Sequence, residues 1–215
     1  MSLETEAKQQ VSFDSVIRER RSVRHYDPSV SISEQELKDM IKEATLAPSS
    51  NNIQPWRFLI IQDPEQKPRL LPIAFNQQQV VEAAAVIAVL GDKEGYKQLG
   101  KICRLAVEAG YMTEEFASQY TERTVKTYGS LPEERLERIL LIDGGLVSMQ
   151  FMLVAKARGY DTVPMGGYDA QKLIAEFRIP SRYVPIMLIA VGKAASPGRP
   201  TSRLPVEDIT FWNTF

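Results

Sequence analysis

The stretch EERLERILLIDGGLVSMQFMLVAKA, residues 133–157, predicts a helix of about seven turns. Ile139, Leu140, Ile142, Leu146, Val147, Met149, Phe151, Met152 and Val154 cover most of its circumference. A helix that is apolar almost all round is buried almost all round. In a chain of 215 residues this calls for a core on one side and a subunit interface on the other.

On its N-terminal side lies a charged and aromatic tract, 92–134, which reads as a helical excursion and carries Tyr96, Tyr111, Phe116, Tyr120 and Tyr128. The run 85–90 is apolar and short, as a buried strand requires, and a helix over 76–83 feeds it. A second strand is expected over 57–62, after the loop SSNNIQPW. Further upstream, Ser33 and Glu36 form a capping box for a helix bearing Leu37, Met40, Ile41 and Ala44, with Pro48 as its stop. Ser12 or Asp14 can cap a shorter helix that ends near Glu19. On the C-terminal side Gly159 ends the long helix, a short strand leads to PMGGYD, a helix covers 170–177 and a strong strand covers 183–191. This order gives an α+β or three-layer architecture, a small sheet between helices, as a single domain over 1–215. The tail, 196–215, holds three prolines and then ITFWNTF, so it either packs on its own domain or crosses to a partner subunit.

Composition narrows the function classes. The balance of 26 Lys+Arg against 27 Asp+Glu offers no electrostatic case for nucleic acid or an anionic membrane as partner. The apolar runs 83–90 and 186–191 are too short to span a bilayer, and the polar start MSLETEAKQQVSFDS does not read as a signal peptide. A single cysteine, Cys103, excludes an internal disulfide, and a single histidine, His25, excludes HExxH and most zinc constellations, so no metal site is expected. A reducing, cytoplasmic location is expected.

Several motifs fail on inspection. GYKQLGKI, 95–102, mimics a phosphate loop but ends in Ile102, where the Mg²⁺-binding hydroxyl belongs, and its bulky residues suit a helix better. There is no G-x-G and no G-x-S-x-G. Cys103 falls on an apolar helix face and reads as a buried thiol. Three segments remain. RERRSVRHY carries Arg18, Arg20, Arg21 and Arg24 around Ser22; such a run is ordinarily a solvated face, but arginine forks also suit a phosphate, and Arg203 offers a further cation. APSSNNIQPW is dense in small hydrogen-bonding side chains, and PMGGYD has adjacent glycines where a backbone can approach a ligand closely. Together they describe a site for a flat, phosphate-bearing ligand.

RRSVRHY (20–26), APSSNNIQPW (47–56), FNQQQVVEAA (75–84), VPMGGYD (163–169) and SRLP (202–205), in this order and spacing, resemble the FMN-dependent nitroreductases over nearly the whole chain. The resemblance implies an α+β, three-layer α/β/α sandwich with a mostly antiparallel sheet, an intertwined homodimer with two FMN sites at its interface, and a C-terminal arm, 196–215, that crosses to the partner. It implies that Arg20, Arg21 and Ser22 contact the phosphate and ribityl chain, with Arg203 on the phosphate and Arg24 at the pyrimidine edge. Pro48, Ser49, Ser50 and Asn52 would come from the other subunit. Asn76, with Gln79 beside it, would meet the polar edge of the flavin. Pro164, Met165, Gly166 and Gly167 would cover one ring face, with the Gly166 amide near the hydride-carrying nitrogen. Many members have lysine at the position of Gln79, glutamate at Gly166, and some have lysine at Thr201.

The implied activity is a ping-pong NAD(P)H oxidoreductase, with NADPH or NADH as donor and a nitroaromatic, quinone or similar small molecule as acceptor. The flavin carries the chemistry, so no catalytic side chain is assigned. The acceptor would meet the excursion, with Tyr111, Phe116, Tyr120 and Tyr128 as candidates. Packing of these rings within the excursion is the alternative for each. Rival readings are other flavin chemistry on the same scaffold (dehalogenation, flavin fragmentation or oxidase action) and a non-catalytic FMN-binding protein.

Overall fold

A computed structural model describes residues 11–215. The reading of the polar start as no leader falls mostly on residues outside that range. In chain order the helices are α1 (Phe13–Glu19), α2 (Glu34–Ala44), α3 (Leu70–Ile73), α4 (Gln79–Glu82), α5 (Leu99–Glu108), α6 (Glu114–Gly129), α7 (Glu133–Ala157) and α8 (Ala170–Glu176). The strands are β1 (Trp56–Ile61), β2 (Ala85–Asp92), β3 (Asp161–Met165) and β4 (Tyr183–Gly192). They form one sheet in the order β1-β2-β4-β3, antiparallel at every pair.

β2 is buried along its whole length because both faces of the sheet are covered. Val86, Ala88 and Leu90 point to one side, into a core shared with Leu70 and Ile73 of α3, Val80 of α4 and Leu173 of α8. Ala85, Ile87 and Val89 point to the other, among Leu37 and Met40 of α2 and Val147, Phe151 and Met152 of α7. These are the three layers of the expected sandwich. A third, smaller cluster joins α5 and α6 to Ile53, with Leu99, Cys103, Ala117 and Tyr128 at its centre. Cys103 is buried there, as its place on an apolar helix face requires.

α7 follows the expected bounds, and its glycines explain how closely it lies on the sheet. A side chain at Gly144 would collide with Ile186 of β4, and one at Gly91 of β2 would stand 2.8 Å from Leu140 Cβ. The length and hydropathy of α7 would suit a membrane span, but Leu140, Val147, Phe151 and Met152 are buried in the core. Its other face is uncovered in the protomer: Leu141, Ile142, Leu146 and Met149 are exposed, and α1, which packs on α7, adds exposed Phe13 and Ile17. Residues 199–215 are exposed throughout, including Trp212 and Phe215.

Three local expectations are corrected. The helix over 76–83 shrinks to Gln79–Glu82, because Phe75 and Asn76 take left-handed backbone (φ 51° and 60°), which no helix continues. α2 ends at Ala44, ahead of Pro48; Thr45 donates its hydroxyl to the Lys42 carbonyl and the chain turns there. α3 is an additional turn of helix upstream of that left-handed pair. The GYKQLGKI segment is a 3₁₀ turn, Gly95–Gln98, running into α5, as its bulky residues favour.

Candidate functional site

Ser12 accepts a hydrogen bond from the Ser15 amide and starts α1; Arg20 ends it by turning to extended backbone. The following residues run along the free edge of β3. Ser22 bridges Thr162 in parallel, the Val23 amide donates to the Thr162 carbonyl at 3.1 Å, and Tyr26 bridges Ala194. Tyr26 anchors the run: its ring is buried and its hydroxyl donates to the Ala190 carbonyl at 3.2 Å. Burial raises the Tyr26 phenol far above its ordinary range, so it is a neutral structural post. Arg21 donates from Nη1 to the carbonyls of Arg18 (2.5 Å) and Arg20 (2.8 Å), and its stem lies against Gly198 at the root of the tail. Among the described residues Arg20, Arg21, Arg24 and Arg203 have no carboxylate partner. Arg203 stands in the exposed tail, bonded to Thr201 Oγ1 at 2.7 Å and to the Ser202 carbonyl.

β3 carries the chain from Thr162, beside Ser22, to the glycine pair. There the FNQQQ turn meets it. Gln79 is buried and donates from Nε2 to Met165 Sδ (3.3 Å) and Gln77 Oε1 (2.9 Å). Gln77 in turn donates to the Gly167 carbonyl at 2.8 Å, and the Asp169 amide donates to the Ile73 carbonyl at 2.8 Å. Asn76 is exposed beside them, and a side-chain position at Gly166 would face open space. Tyr168, next in the chain, has its phenol pushed up to about 12 by burial. Arg20–Arg24 thus lie along the edge of β3 near its start at Thr162, and Asn76, Gln79 and Pro164–Gly167 meet at the other end of that strand.

The loop with Pro48, Ser49, Ser50 and Asn52 makes its contacts elsewhere, on α6 and α7. The Ser50 amide donates to the carboxylate of Asp143 (3.0 and 3.2 Å), and the Ser50 hydroxyl bonds it at 3.1 Å. Asn51 Nδ2 donates to Tyr120 Oη at 3.1 Å, and the Tyr128 hydroxyl donates to Asn51 Oδ1 at 3.3 Å. Asn51, Asn52 and Gln54 all have left-handed backbone. Of the aromatic candidates, Tyr111 is almost fully exposed, Phe116 is exposed and stacks on Tyr120 with centroids 5.8 Å apart, and Tyr128 is buried. Gln77 and Asp143 were not singled out from sequence. An acid inside an otherwise apolar helix was the available signal for Asp143; Gln77 had none.

The architecture is a helix-sandwiched antiparallel sheet, with arginines along one strand edge and an open glycine pair at its end. Residues 17–193 match the model of the nitroreductase family, and the chain belongs to that family. It is similar to YdgI of Bacillus subtilis strain 168, a provisionally assigned NAD(P)H nitroreductase, at 47% identity over 202 residues, covering 93% of this chain and 97% of that protein. A crystal structure from Exiguobacterium sibiricum, of a provisionally assigned nitroreductase in complex with FMN, superposes with a TM-score of 0.91 at 46% identity, covering 96% of this chain and 100% of the other. The enone reductase of CLA biosynthesis from Lactiplantibacillus plantarum is 37% identical over 187 residues, 86% of each chain.

Proposed function

We propose that this chain is an FMN-dependent NAD(P)H oxidoreductase, acting as a cytoplasmic homodimer that reduces nitroaromatics, quinones or similar small acceptors. The observation that carries the reading is the likeness to an FMN-bound relative over nearly the whole chain, joined to the placing of the arginine segment along the β3 edge and of the FNQQQ and MGG segments at the end of the same strand.

The residues fit the cofactor. A phosphate dianion needs cations that are not already spent, and Arg20 and Arg21 have no carboxylate partner among the described residues. A flat ring needs a wall that leaves it room, and the space beside Gly166 is open. FMN, when bound, supplies the redox chemistry, accepting a hydride from the nicotinamide and passing electrons to the acceptor, which uses the same pocket in turn. Arg20, Arg21, Ser22 and Arg203 hold the phosphate and ribityl chain. Asn76 faces the polar edge, and Pro164–Gly167 form a wall. Gln79 spends its amide on Met165 and Gln77. The cation at the pyrimidine edge is therefore Arg24, which is exposed and stabilises negative charge there.

The uncovered apolar face of α7, the exposed α1 side chains and the tail form the dimer interface, with the arm 196–215 on the partner. Pro48, Ser49, Ser50 and Asn52 serve the flavin bound mainly by the other subunit. Tyr111 and Phe116 turn open ring faces toward the acceptor, with Tyr120 stacked behind and Tyr128 deeper. A second reading, reduction of a conjugated carbon–carbon double bond, is favoured by the name of the Lactiplantibacillus relative. Steady-state rates with nitroaromatics, quinones and conjugated enones, each with NADPH and NADH, separate the two. Parallel double-reciprocal lines with a quinone or nitroaromatic support the proposal; turnover of enones alone would replace it.

A further inference from the structure

We propose that Asp143 is a positioning residue for flavin binding: from inside α7 its carboxylate fixes Ser50 and so presents the loop 48–52 to the cofactor of the partner subunit. This rests on the reading of the chain as an FMN-binding dimer.

A carboxylate in the middle of a buried apolar helix face is costly unless it is bonded, and Asp143 is 1% exposed. No cation pairs with it among the described residues. Its bonds go to one residue, Ser50, through the backbone amide and the hydroxyl. A helix that needed only packing would place leucine there. What the carboxylate secures is the conformation of one distant loop.

That loop needs securing. Asn51, Asn52 and Gln54 sit at φ 54°, 54° and 52°, a region that costs an L-residue about 1 kcal/mol or more each. Such backbone persists when its surroundings over-determine it. Besides Asp143, the Ser49 hydroxyl accepts from the Gln54 amide at 3.0 Å. From α6, Tyr120 both accepts from Asn51 Nδ2 and donates to the Asn51 carbonyl at 3.2 Å, and Tyr128 holds Asn51 Oδ1. Half-buried Ser50 and exposed Asn51 are fastened by these bonds, while Pro48 and Asn52 are exposed beside them. Ile142, next to Asp143, and Leu146, one turn on, are exposed on α7. The same helical turn therefore carries the loop's anchor and part of the face offered to the second subunit.

The test titrates FMN-free protein with FMN, following flavin fluorescence, for wild type, Ser50→Ala, Asp143→Asn and the double variant. Asp143→Asn should bind FMN about tenfold or more weakly, Ser50→Ala less so, and the double variant no more weakly than Asp143→Asn, because Ser50→Ala removes only the hydroxyl bond, one of those that Asp143→Asn already weakens. Hydrogen exchange of residues 49–54 in the FMN-free variants should rise. Mixed dimers should separate positioning from general stabilisation. A subunit with Ser50→Ala, combined with one bearing Arg20→Ala and Arg21→Ala, should regain one tight FMN site per dimer, since one site then has intact arginines and an intact loop from the other chain. If Asp143→Asn does not fold, Ser50→Ala tests the hydroxyl part of the contact from the loop side. Folded variants with unchanged FMN affinity, or mixed dimers that regain no site, would overturn the proposal. A wild-type protein that ignores FMN would instead overturn the functional reading beneath it.

Discussion

Replacing Arg21 by alanine tests the phosphate end of the site. Nη1 of Arg21 is already spent on two carbonyls, which fixes the plane of the guanidinium and leaves Nε and Nη2 as a fork. A fork held in place before binding loses little entropy when it meets a phosphate, so most of a charge-assisted pair appears as affinity. Such a bond contributes about 1.5–3 kcal/mol, or roughly 10- to 150-fold in the dissociation constant for FMN. Riboflavin has the same ring and no phosphate, so its binding should change less than about threefold by the same reasoning. Arg21→Lys keeps the charge but loses the planar fork and the tie to both carbonyls, and should recover only part of the loss. Flavin fluorescence titrations of the FMN-free variants with both ligands give the ratio directly. Equal weakening of FMN and riboflavin, or none of either, would refute the assignment of Arg21 to the phosphate.

Arg24→Ala should lower the two-electron midpoint potential of the bound flavin by tens of millivolts, about 30 mV for each roughly 1.4 kcal/mol of lost stabilisation of the reduced form; an unchanged potential in a variant that retains FMN contradicts the role given to Arg24. Asp92→Ala should destabilise the fold by about 3 kcal/mol in urea unfolding, because the fully buried carboxylate joins Arg57 (2.8 Å), Arg182 (3.1 Å) and the Glu94 amide (3.0 Å). Arg182→Ala should cost much less than Asp92→Ala in the same assay, since Arg57 still pairs with Asp92. Leu146→Glu places a charge on the uncovered face of α7 and should shift the protein toward monomer in sedimentation velocity, with loss of FMN; a dimer of wild-type stability would remove α7 from the interface.

The large elements were legible because their signals are local. The apolar run of β2 and the near-continuous apolar surface of α7 each signal burial, and Ser33 caps α2 as expected, its hydroxyl accepting from the Glu36 amide, although the Glu36 carboxylate goes to Arg158 and closes no capping box. The short helices were not legible, since α3 and α4 are divided by left-handed backbone at Phe75 and Asn76, and nothing in FNQQQ announces φ above zero at a phenylalanine. The candidate site was legible as a set of segments. Its division into two places was not, because contacts such as Ser50 to Asp143 span 93 positions and depend on how α7 lies on the sheet. Gly144 permits that close approach, but the sequence alone does not say which element it admits. The tyrosines of the excursion illustrate the same limit. Composition marks them as ring surfaces, whereas the hydroxyls of Tyr120 and Tyr128 reach back to Asn51.

The central claim is tested most directly by the visible absorption spectrum of the purified protein before and after anaerobic addition of NADPH and then NADH. The account predicts flavin bands that bleach with at least one nicotinamide and return when a quinone or nitroaromatic is added. Flavin bands that neither nucleotide bleaches, or a colourless protein that takes up no added FMN, would contradict it.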